Sequence, residues 1–281
     1  VVEFEDDHLV FSNCGTFIPQ SVEAVVLSDA PEETYRNTFL VEAMRNLNYG
    51  GVVGYAEGSV KDCENKAGKT MAFVSPVEGS YGVSHCAIGG VAGFVLYDIT
   101  GCTNGANLDI DGIFTGGGTS ITAGSGYYTA CFYGGVAGAA GPNTGENTIE
   151  NCTNTGNLEI NAVSLITAQT RYFIGGIAAY AKAPISLSNN SGNVSVTSAG
   201  QHKFFGGIAG QSSYQIENCA NTGDLSLDNV LTAKSDDTDK RNTGKIYLGG
   251  VSGFHAVATA NKTLALNNLK LLNCTNSGSI S

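Results

Sequence analysis

The chain has 281 residues, including 38 glycines and 5 prolines, with no tryptophan and a net charge of −11. Its 14 basic residues argue against a nucleic-acid partner, because phosphate binding depends on clustered lysine and arginine, and against an electrostatic membrane anchor. No stretch approaches the roughly 20 apolar residues that span a bilayer, so no transmembrane segment is expected. The chain starts at Val1 without a signal peptide, which indicates a mature or excised segment.

The first 48 residues do not follow the pattern of the rest and are interpreted as an N-terminal cap. An acidic start over residues 3–7 precedes a short apolar run over residues 9–11. Residues 28–33 combine helix-capping residues, an early proline and acidic side chains, which is the pattern of a helix start. The predicted helix runs to about Asn46. A cap is expected because the end of a solenoid exposes unpaired strand edges.

Residues 49–281 repeat one two-part phrase six times. The first part is a glycine pair followed by valine or isoleucine, and the pairs are spaced from 31 residues (175 to 206) to 45 residues (89 to 134). The pairs are Gly50-Gly51, Gly89-Gly90, Gly134-Gly135, Gly175-Gly176, Gly206-Gly207 and Gly249-Gly250. The second part, as in residues 149–160, ends with an Asn-Thr-Gly turn and an alternating strand pattern. A period of this length predicts stacked units that each pack on their neighbours.

The repeat predicts an all-β fold. Glycine pairs, Asn-Gly turns and β-branched residues oppose helical repeats, and the widely varying spacing opposes a propeller blade. We therefore predict a single-stranded parallel β-helix of about six coils, with roughly three short strands per coil and right-handed winding. The long connections at 111–131, 161–172 and 228–245 are expected on one side, because insertions in a solenoid map to one face.

One position is asparagine in every unit. These residues are Asn65, Asn104, Asn154, Asn190, Asn221 and Asn276. In a parallel β-helix they stack about 4.8 Å apart, so their amides are predicted to hydrogen-bond to one another at a buried corner. We interpret this row as a structural ladder and not as a binding site.

A cysteine recurs two residues before that asparagine. The cysteines are Cys63, Cys102, Cys152, Cys219 and Cys274, and Ser188 takes the place in the fourth unit. A position that accepts Cys or Ser is interpreted as a small buried filler, and disulfide bonds are the alternative. No metal site is expected, because there is no CxxC and no histidine lies nearby in the sequence.

The phrase resembles the GLUG motif repeat of bacterial surface adhesins and of some IgA-specific metallopeptidases. The resemblance rests on Gly-Gly-Val/Ile-Ala/Val/Ser-Gly and the downstream Ile-x-Asn-Cys-x-Asn-Thr-Gly-x-Leu/Val, and it covers about residues 49–281. It implies a β-solenoid and an extracellular, adhesion-like role at the bacterial cell surface. No His-Glu-x-x-His motif is present, so the peptidase activity is not carried over. The fourth unit departs from the pattern at Ala179 and at Leu187-Ser188.

The strand before each glycine pair holds the candidate ligand-binding residues. Two residues before the pair the sequence has Phe132, Phe173, Phe204 and Tyr247, and four residues before it Arg171, His202 and Lys245. Alternate residues of a strand share a face, so the rings would form a column and the polar residues a row beside it. If exposed, stacked rings beside polar donors would suit sugar rings or a protein surface; the alternative is core packing. Three residues before the pair, Cys86 and Cys131 either pack or form a bridge between coils.

Catalytic chemistry has no clear anchor in the sequence. Asp109 with Asp111, and Asp236, Asp237 and Asp239, are the only acidic clusters of the repeat region, and no nucleophile elbow is present. We predict no catalytic residue, no metal and no cofactor. The leading hypothesis is a non-catalytic cell-surface adhesion protein that binds a glycan or a protein on another surface. A β-helix glycosidase or polysaccharide lyase and a passive structural stalk are the alternatives.

Overall fold

The structure is a computed structural model that describes residues 2–5, 8–12, 46–74, 85–112, 130–141, 147–162, 171–198, 202–229, 246–256 and 269–281. Within these ranges all the regular secondary structure is β-strand. The strands form five sheets, which we number I to V in the order in which the chain passes through them in one coil.

Sheet I precedes the glycine bends and holds β3 (Asn46–Gly50), β8 (His85–Gly89), β13 (Ala130–Gly134), β18 (Arg171–Gly175), β23 (His202–Gly206) and β28 (Ile246–Gly249). Sheet II follows them with β4 (Val53–Ala56), β9 (Ala92–Val95), β14 (Ala137–Ala140), β19 (Ala178–Ala181), β24 (Ala209–Ser212) and β29 (Ser252–His255). Sheet III contains β5 (Val60–Lys61), β10 (Ile99–Thr100), β15 (Ile149–Glu150), β20 (Ile185–Ser186), β25 (Ile216–Glu217) and β30 (Leu271–Leu272).

Sheet IV contains β6 (Glu64–Asn65), β11 (Thr103–Asn104), β16 (Thr153–Asn154), β21 (Asn189–Asn190), β26 (Ala220–Asn221) and β31 (Thr275–Asn276). Sheet V contains β7 (Thr70–Val74), β12 (Asn107–Gly112), β17 (Leu158–Ala162), β22 (Val194–Ser198) and β27 (Leu225–Asn229). The hairpin strands β1 (Val2–Glu5) and β2 (His8–Ser12) extend sheet III at its N-terminal edge.

Successive coils pair in parallel, with equivalent positions of the repeat side by side. Ile99, for example, lies between Val60 of the preceding coil and Ile149 of the following one. This arrangement confirms the predicted parallel β-helix of about six coils. Each full coil has five short strands where roughly three were expected, because sharp bends at the glycine pair and at the cysteine corner divide the predicted strands.

The corner between sheets III and IV is made by one residue in a left-handed backbone conformation. The residues at this corner are Asp62, Gly101, Asn151, Leu187, Asn218 and Asn273, with φ between 51° and 63°. Asparagine, aspartate and glycine adopt this conformation at low cost, whereas Leu187 does not. The bend turns the next residue, the recurring cysteine, into the core.

The asparagine row forms a continuous chain of side-chain hydrogen bonds. Each Nδ2 donates to the Oδ1 of the next coil, from Asn65 to Asn104 (3.0 Å) and onward to Asn276 (2.7 Å). From Asn104 onward, the second Nδ2 proton goes to the carbonyl oxygen two residues ahead, at 2.9 Å. The ladder therefore satisfies the buried amides from Asn104 to Asn221, and all its hydrogen bonds point in the same direction along the solenoid.

A second polar row, not expected from the sequence, lies one strand further along on the surface. Asn107, Asn157, Asn193 and Asp224 each accept the backbone N–H of the equivalent residue in the next coil, at 2.8–3.0 Å. Because the acceptor is a side-chain oxygen, asparagine and aspartate are interchangeable here.

The interior is divided into two apolar compartments. One lies between sheets II and III and contains the recurring cysteines with the valines and isoleucines that follow the glycine pairs. The other lies between sheets I and V. The cysteines from Cys63 to Cys219 and Ser188 are buried, and Cys274 in the last coil is half-buried. The prediction of a small buried filler is confirmed at this position.

The N-terminal hairpin joins the solenoid in register. Strand β2 pairs in parallel with β5, so that Phe11 lies beside Val60. The predicted helix, which was expected to run to about Asn46, lies outside the described residues apart from Asn46 itself. Asn46 begins strand β3, because its backbone pairs with His85 in sheet I.

The three long connections share one corner of the coil. Each follows a strand of sheet V and precedes a strand of sheet I, as β12 is followed by β13, β17 by β18 and β27 by β28. Their central residues lie outside the described part of the chain. The ends of the connections are placed as expected for insertions on one face.

Candidate functional site

The strands of sheet I have two different faces, as the alternation predicted. Residues one and three before the glycine pair point into the compartment shared with sheet V, and in the central coils they are fully buried, as at Ile174 and Tyr172. Residues two before the pair point to the opposite side and belong to a separate cluster. The predicted column is therefore on the outer face of sheet I.

Sheet II folds back over this outer face. The third glycine of the repeat permits a close backbone approach, because a Cβ on Gly138 would lie 2.7 Å from the Ile88 nitrogen of the preceding coil. A Cβ on Gly210 would likewise lie 2.5 Å from the Ile174 nitrogen. The fold thus brings side chains of sheets I and II together outside the two interior compartments.

The result is an aromatic cluster, defined here as Phe132, Phe173, Phe204 and Tyr247 from sheet I with Tyr180 and Phe254 from sheet II. Phe173 and Phe204 stack with centroids 4.7 Å apart and planes 7° apart. Phe132 and Tyr247 extend the stack at 5.0 and 5.3 Å. Tyr180 and Phe254 meet the stack at steeper angles, with centroid distances of 5.0–5.5 Å.

The cluster is buried at its centre and open at its rim. Phe173 is 5% exposed and Phe204 9% exposed, whereas Phe132, Tyr247, Tyr180 and Phe254 are half-buried. Both faces of Phe173 and Phe204 are covered by neighbouring rings. The sequence predicted either an exposed column of rings or core packing. The structure shows an intermediate arrangement, because the rings lie outside the two interior compartments but are covered by sheet II.

The polar row beside the rings is only partly described. Arg171 is half-buried on the same face as Phe173. In the next coil, the backbone of His202 lies beside that of Arg171. The side chain of His202 and the whole of Lys245 lie outside the described residues. On the opposite wall of the same coil, the Lys182 ammonium lies 5.8 Å from the Tyr180 ring centroid. Cationic groups therefore flank the cluster at the fourth coil.

The alternation in the strand before the glycine pair does not predict the aromatic residues of sheet II, but a second recurring position in the sequence does. Five residues after the first glycine of the pair, four of the six coils carry an aromatic residue: Tyr55, Phe94, Tyr180 and Phe254. Tyr55 and Phe94 stack at 5.8 Å in the first two coils, where Tyr55 is 47% exposed. The sheet I positions there are Asn48 and Ala87, so this pair lies outside the aromatic cluster.

Two buried thiols, Cys131 in sheet I and Cys102 at the recurring position, have raised pKa values. Cys86 and Cys131 lie side by side in sheet I, and burial raises the pKa of the Cys131 thiol to about 12. At the recurring position, a hydrogen bond with Cys152 and burial together raise the pKa of Cys102 to about 12. A thiolate is the nucleophilic form of cysteine, so Cys102 and Cys131, which are also fully buried, are interpreted as packing groups.

Lys203 is a buried cation that the sequence comparison did not single out. It occupies the position three before the glycine pair, beside Tyr172 in the compartment between sheets I and V, and is 1% exposed. Burial lowers the pKa of this lysine to about 8. A lowered lysine pKa of this kind occurs both at functional sites and at purely structural positions.

Asp109 and Asp111, two of the acidic residues considered for catalysis, lie on an exposed surface of sheet V. Asp109 and Asp111 alternate with the buried Leu108 and Ile110 on β12, so both point outward from sheet V. Asp236, Asp237 and Asp239 lie outside the described residues. In the described ranges no group of three or more His, Cys, Asp or Glu side chains is placed to hold a metal ion.

Comparison with protein-family models, with curated proteins and with solved structures gives no match for this chain. In the described part of the chain, no helix has the length and apolar character needed to cross a bilayer.

Proposed function

We propose that this chain is a non-catalytic adhesion protein of the bacterial cell surface, located outside the cell, that binds a partner through the aromatic cluster. The observation that carries the proposal is the half-buried rim of Phe132, Tyr247, Tyr180 and Phe254 around two covered rings. Aromatic residues that are partly exposed on a rigid scaffold are typical of contact surfaces. The GLUG-like repeat phrase supports the cellular context.

The partner is a glycan or a protein on another surface, and the ring geometry favours a protein. A sugar that stacks on an aromatic residue needs an open ring face. Both faces of Phe173 and Phe204 are used by neighbouring rings at 4.7–5.3 Å, so at the centre of the cluster only ring edges are available to a partner. Ring edges and half-buried aromatics are suited to apolar and aromatic side chains. Arg171 and Lys182 would add contacts to acidic groups at the margin.

The experiment compares Tyr247→Ala with Tyr55→Ala. The purified chain is applied to an array of extracellular-matrix and cell-surface proteins and, separately, to a glycan array. Tyr247→Ala removes a rim residue of the cluster, and we expect it to weaken binding to the recognised partner about tenfold or more. Tyr55→Ala removes an exposed aromatic ring outside the cluster and should leave binding within about twofold.

Two outcomes would contradict the proposal. Equal loss of binding in both variants would show that the contact does not depend on the aromatic cluster. Absence of binding on both arrays would favour the passive stalk. A glycan hit that Tyr247→Ala weakens would keep the adhesion function and replace the protein partner with a sugar. Thermal unfolding of both variants checks that the solenoid remains folded.

A further inference from the structure

Two thiols lie side by side in the compartment between sheets I and V. Cys86 and Cys131 are 45 residues apart in the sequence (86 to 131), and the parallel pairing of β8 with β13 places them in register. Both are fully buried. Tyr172 lies beside Cys131 in the next coil, and Tyr133 follows Cys131 on the same face of its strand. We call these four side chains the thiol–phenol group.

The thiol–phenol group contains buried polar atoms that lack a hydrogen bond. Within the described part of the chain, the Tyr172 hydroxyl has no hydrogen-bond partner although the residue is fully buried. The Cys86 thiol also makes no hydrogen bond to any described residue, and its recorded neighbour is the Cys131 thiol. A buried hydroxyl without a partner destabilises the folded state. Both groups are therefore available to a ligand between the strands.

The recurring cysteines are different, because their thiols have backbone partners. The Cys102 thiol donates to the Thr100 carbonyl oxygen at 3.4 Å, and the Cys152 thiol donates to the Glu150 carbonyl oxygen at 3.4 Å. These sulfur atoms are satisfied without a ligand. The recurring row is therefore a matched control for the pair in sheet I.

The spacing of the pair suits a metal ion better than a disulfide bond. Equivalent side chains on neighbouring parallel strands repeat about 4.8 Å apart, whereas the Cβ atoms of a disulfide lie about 3.8 Å apart. A bond between a thiolate and a metal ion is about 2.3 Å long, so a linear sulfur–metal–sulfur unit spans about 4.6 Å. Thiolate ligands select soft ions, and Cu(I) accepts two of them in a line.

We propose that Cys86 and Cys131 bind one Cu(I) ion between their Sγ atoms, and that the hydroxyls of Tyr133 and Tyr172 donate hydrogen bonds to the two sulfurs. Binding releases one proton and transfers no electron. One sulfur becomes a thiolate and the other remains a thiol, so the complex is neutral and compatible with an apolar compartment. The site is separate from the aromatic cluster, so its failure leaves the proposed function unaffected.

The acidity of the thiols agrees with this site. Burial raises the pKa of the Cys131 thiol to about 12, and an interaction with Tyr133 partly offsets that increase. Cys131 is therefore a packing group in the metal-free chain, but a coordinated metal ion removes a thiol proton directly. The absence of a CxxC motif does not exclude the site, because strand pairing brings the two thiols together.

The test measures binding of Cu(I), supplied as its acetonitrile complex to the folded full chain under argon. We expect native mass spectrometry to show a bound ion that Cys131→Ser removes, and X-ray absorption to show a copper ion with two sulfur neighbours. Cys131→Ser leaves one sulfur ligand, so competition with a Cu(I) chelator should show binding at least about 100-fold weaker. Cys102→Ser is the control and should leave the affinity within about twofold. Serine is accepted at that recurring position, as the buried Ser188 shows.

Tyr172→Phe separates a hydroxyl that supports the ion from one that supports the fold. In the metal-free chain this variant loses a buried hydroxyl without a partner, so its Tm should equal or exceed that of wild type. Its Cu(I) affinity should nevertheless fall about tenfold, as for other groups that orient metal ligands. Tyr55→Phe, at an exposed ring in sheet II, should leave the affinity within about twofold.

Three results would overturn the proposal. The first is no Cu(I) bound to the wild-type chain. The second is an equal loss of Cu(I) in Cys131→Ser and Cys102→Ser, which would place the ion elsewhere or show unspecific binding to thiols. The third is a disulfide bond between Cys86 and Cys131 in chain purified without reductant, detected by peptide mapping as the loss of two hydrogens. An unchanged affinity of Tyr172→Phe would overturn the role of its hydroxyl.

Discussion

At the scale of single residues, the corner between sheets III and IV shows that the repeat tolerates one residue that is unfavourable in a left-handed backbone conformation. Five of the six corner residues are asparagine, aspartate or glycine, and the sixth is Leu187 with φ of 51°. A leucine pays about 1–2 kcal/mol for this backbone conformation. Leu187 is also 49% exposed, so it gains little from burial in return.

We therefore expect Leu187→Asn to stabilise the protein by about 1 kcal/mol. For a chain of this size, that change raises Tm by about 2–4 °C. The reverse change at an equivalent corner, Asn151→Leu, should lower Tm by a similar amount. Thermal unfolding followed by circular dichroism measures both; equal Tm values in all three proteins would contradict the strain argument.

Lys203 predicts a pH dependence of stability. Its pKa is about 8 in the folded chain, against an ordinary value of 10.5. Below pH 8 the folded state holds a buried charge, so the folded state is destabilised by the full cost of burying the ammonium group. Between pH 8 and 10.5 the folded lysine is neutral while the unfolded one is still protonated. The free energy of unfolding therefore increases with pH over this range.

The measurement is the free energy of unfolding of wild type and Lys203→Met at pH 7 and pH 10. Methionine keeps the length of the side chain and removes the titration, so its stabilising effect should be larger at pH 7 than at pH 10. Lys182→Met, at a half-buried surface lysine, is the matched control. A Lys203→Met effect that is independent of pH would show that desolvation of the ammonium is not the cause.

At the scale of elements, the joint between sheets I and II determines where the aromatic cluster lies. The second glycine of each pair packs against the asparagine ladder, and a Cβ on Gly135 would lie 2.5 Å from Asn154 Cγ and would overlap the Gly176 carbonyl oxygen. Backbone and ladder atoms cannot move far, because both are held by hydrogen bonds to neighbouring coils.

Gly135→Ala is therefore expected to destabilise the chain by about 3 kcal/mol or more. Gly68→Ala is the control, since nothing lies within 4 Å of its added Cβ although its φ is 79°. It should cost only about 1–2 kcal/mol through backbone strain. Denaturant unfolding gives both values, and equal losses would show that contact with the ladder is unimportant.

At the scale of the whole molecule, stability should be graded along the solenoid. A repeat array is held together by contacts between neighbouring coils, and in a sample that consists of residues 1–281 the last described coil pairs with one neighbour only. We expect the Thr275 amide, which donates to Cys219, to exchange at least about tenfold faster than the equivalent Thr153 amide, which donates to Cys102.

Hydrogen exchange with residue resolution measures this gradient. The two hydrogen bonds have nearly the same length, 3.0 and 2.9 Å, so a difference in exchange reports the neighbouring coil and not the bond itself. Equal protection of Thr275 and Thr153 would show that the solenoid opens as one cooperative unit.

Several features follow directly from the sequence because they are set by the repeat. Equivalent positions of parallel coils must lie side by side, so the asparagine row from Asn65 to Asn276 and the buried cysteine position could be predicted from spacing alone. The candidate aromatic column could also be assigned to one strand face, because alternation within a strand is local. The hydrogen-bonded surface row of Asn107 and its equivalents is also visible in the sequence, as an Asn or Asp three residues after the ladder asparagine.

The tertiary structure decided what covers those faces. Whether Phe173 is exposed depends on the angle of the bend at Gly175-Gly176 and on how closely Gly210 lets sheet II approach, and neither is encoded in the pattern of a single strand. The burial of Lys203 and the left-handed backbone at Leu187 have the same origin. Neighbouring coils impose a position on these residues through hydrogen bonds and packing that local preference would not select.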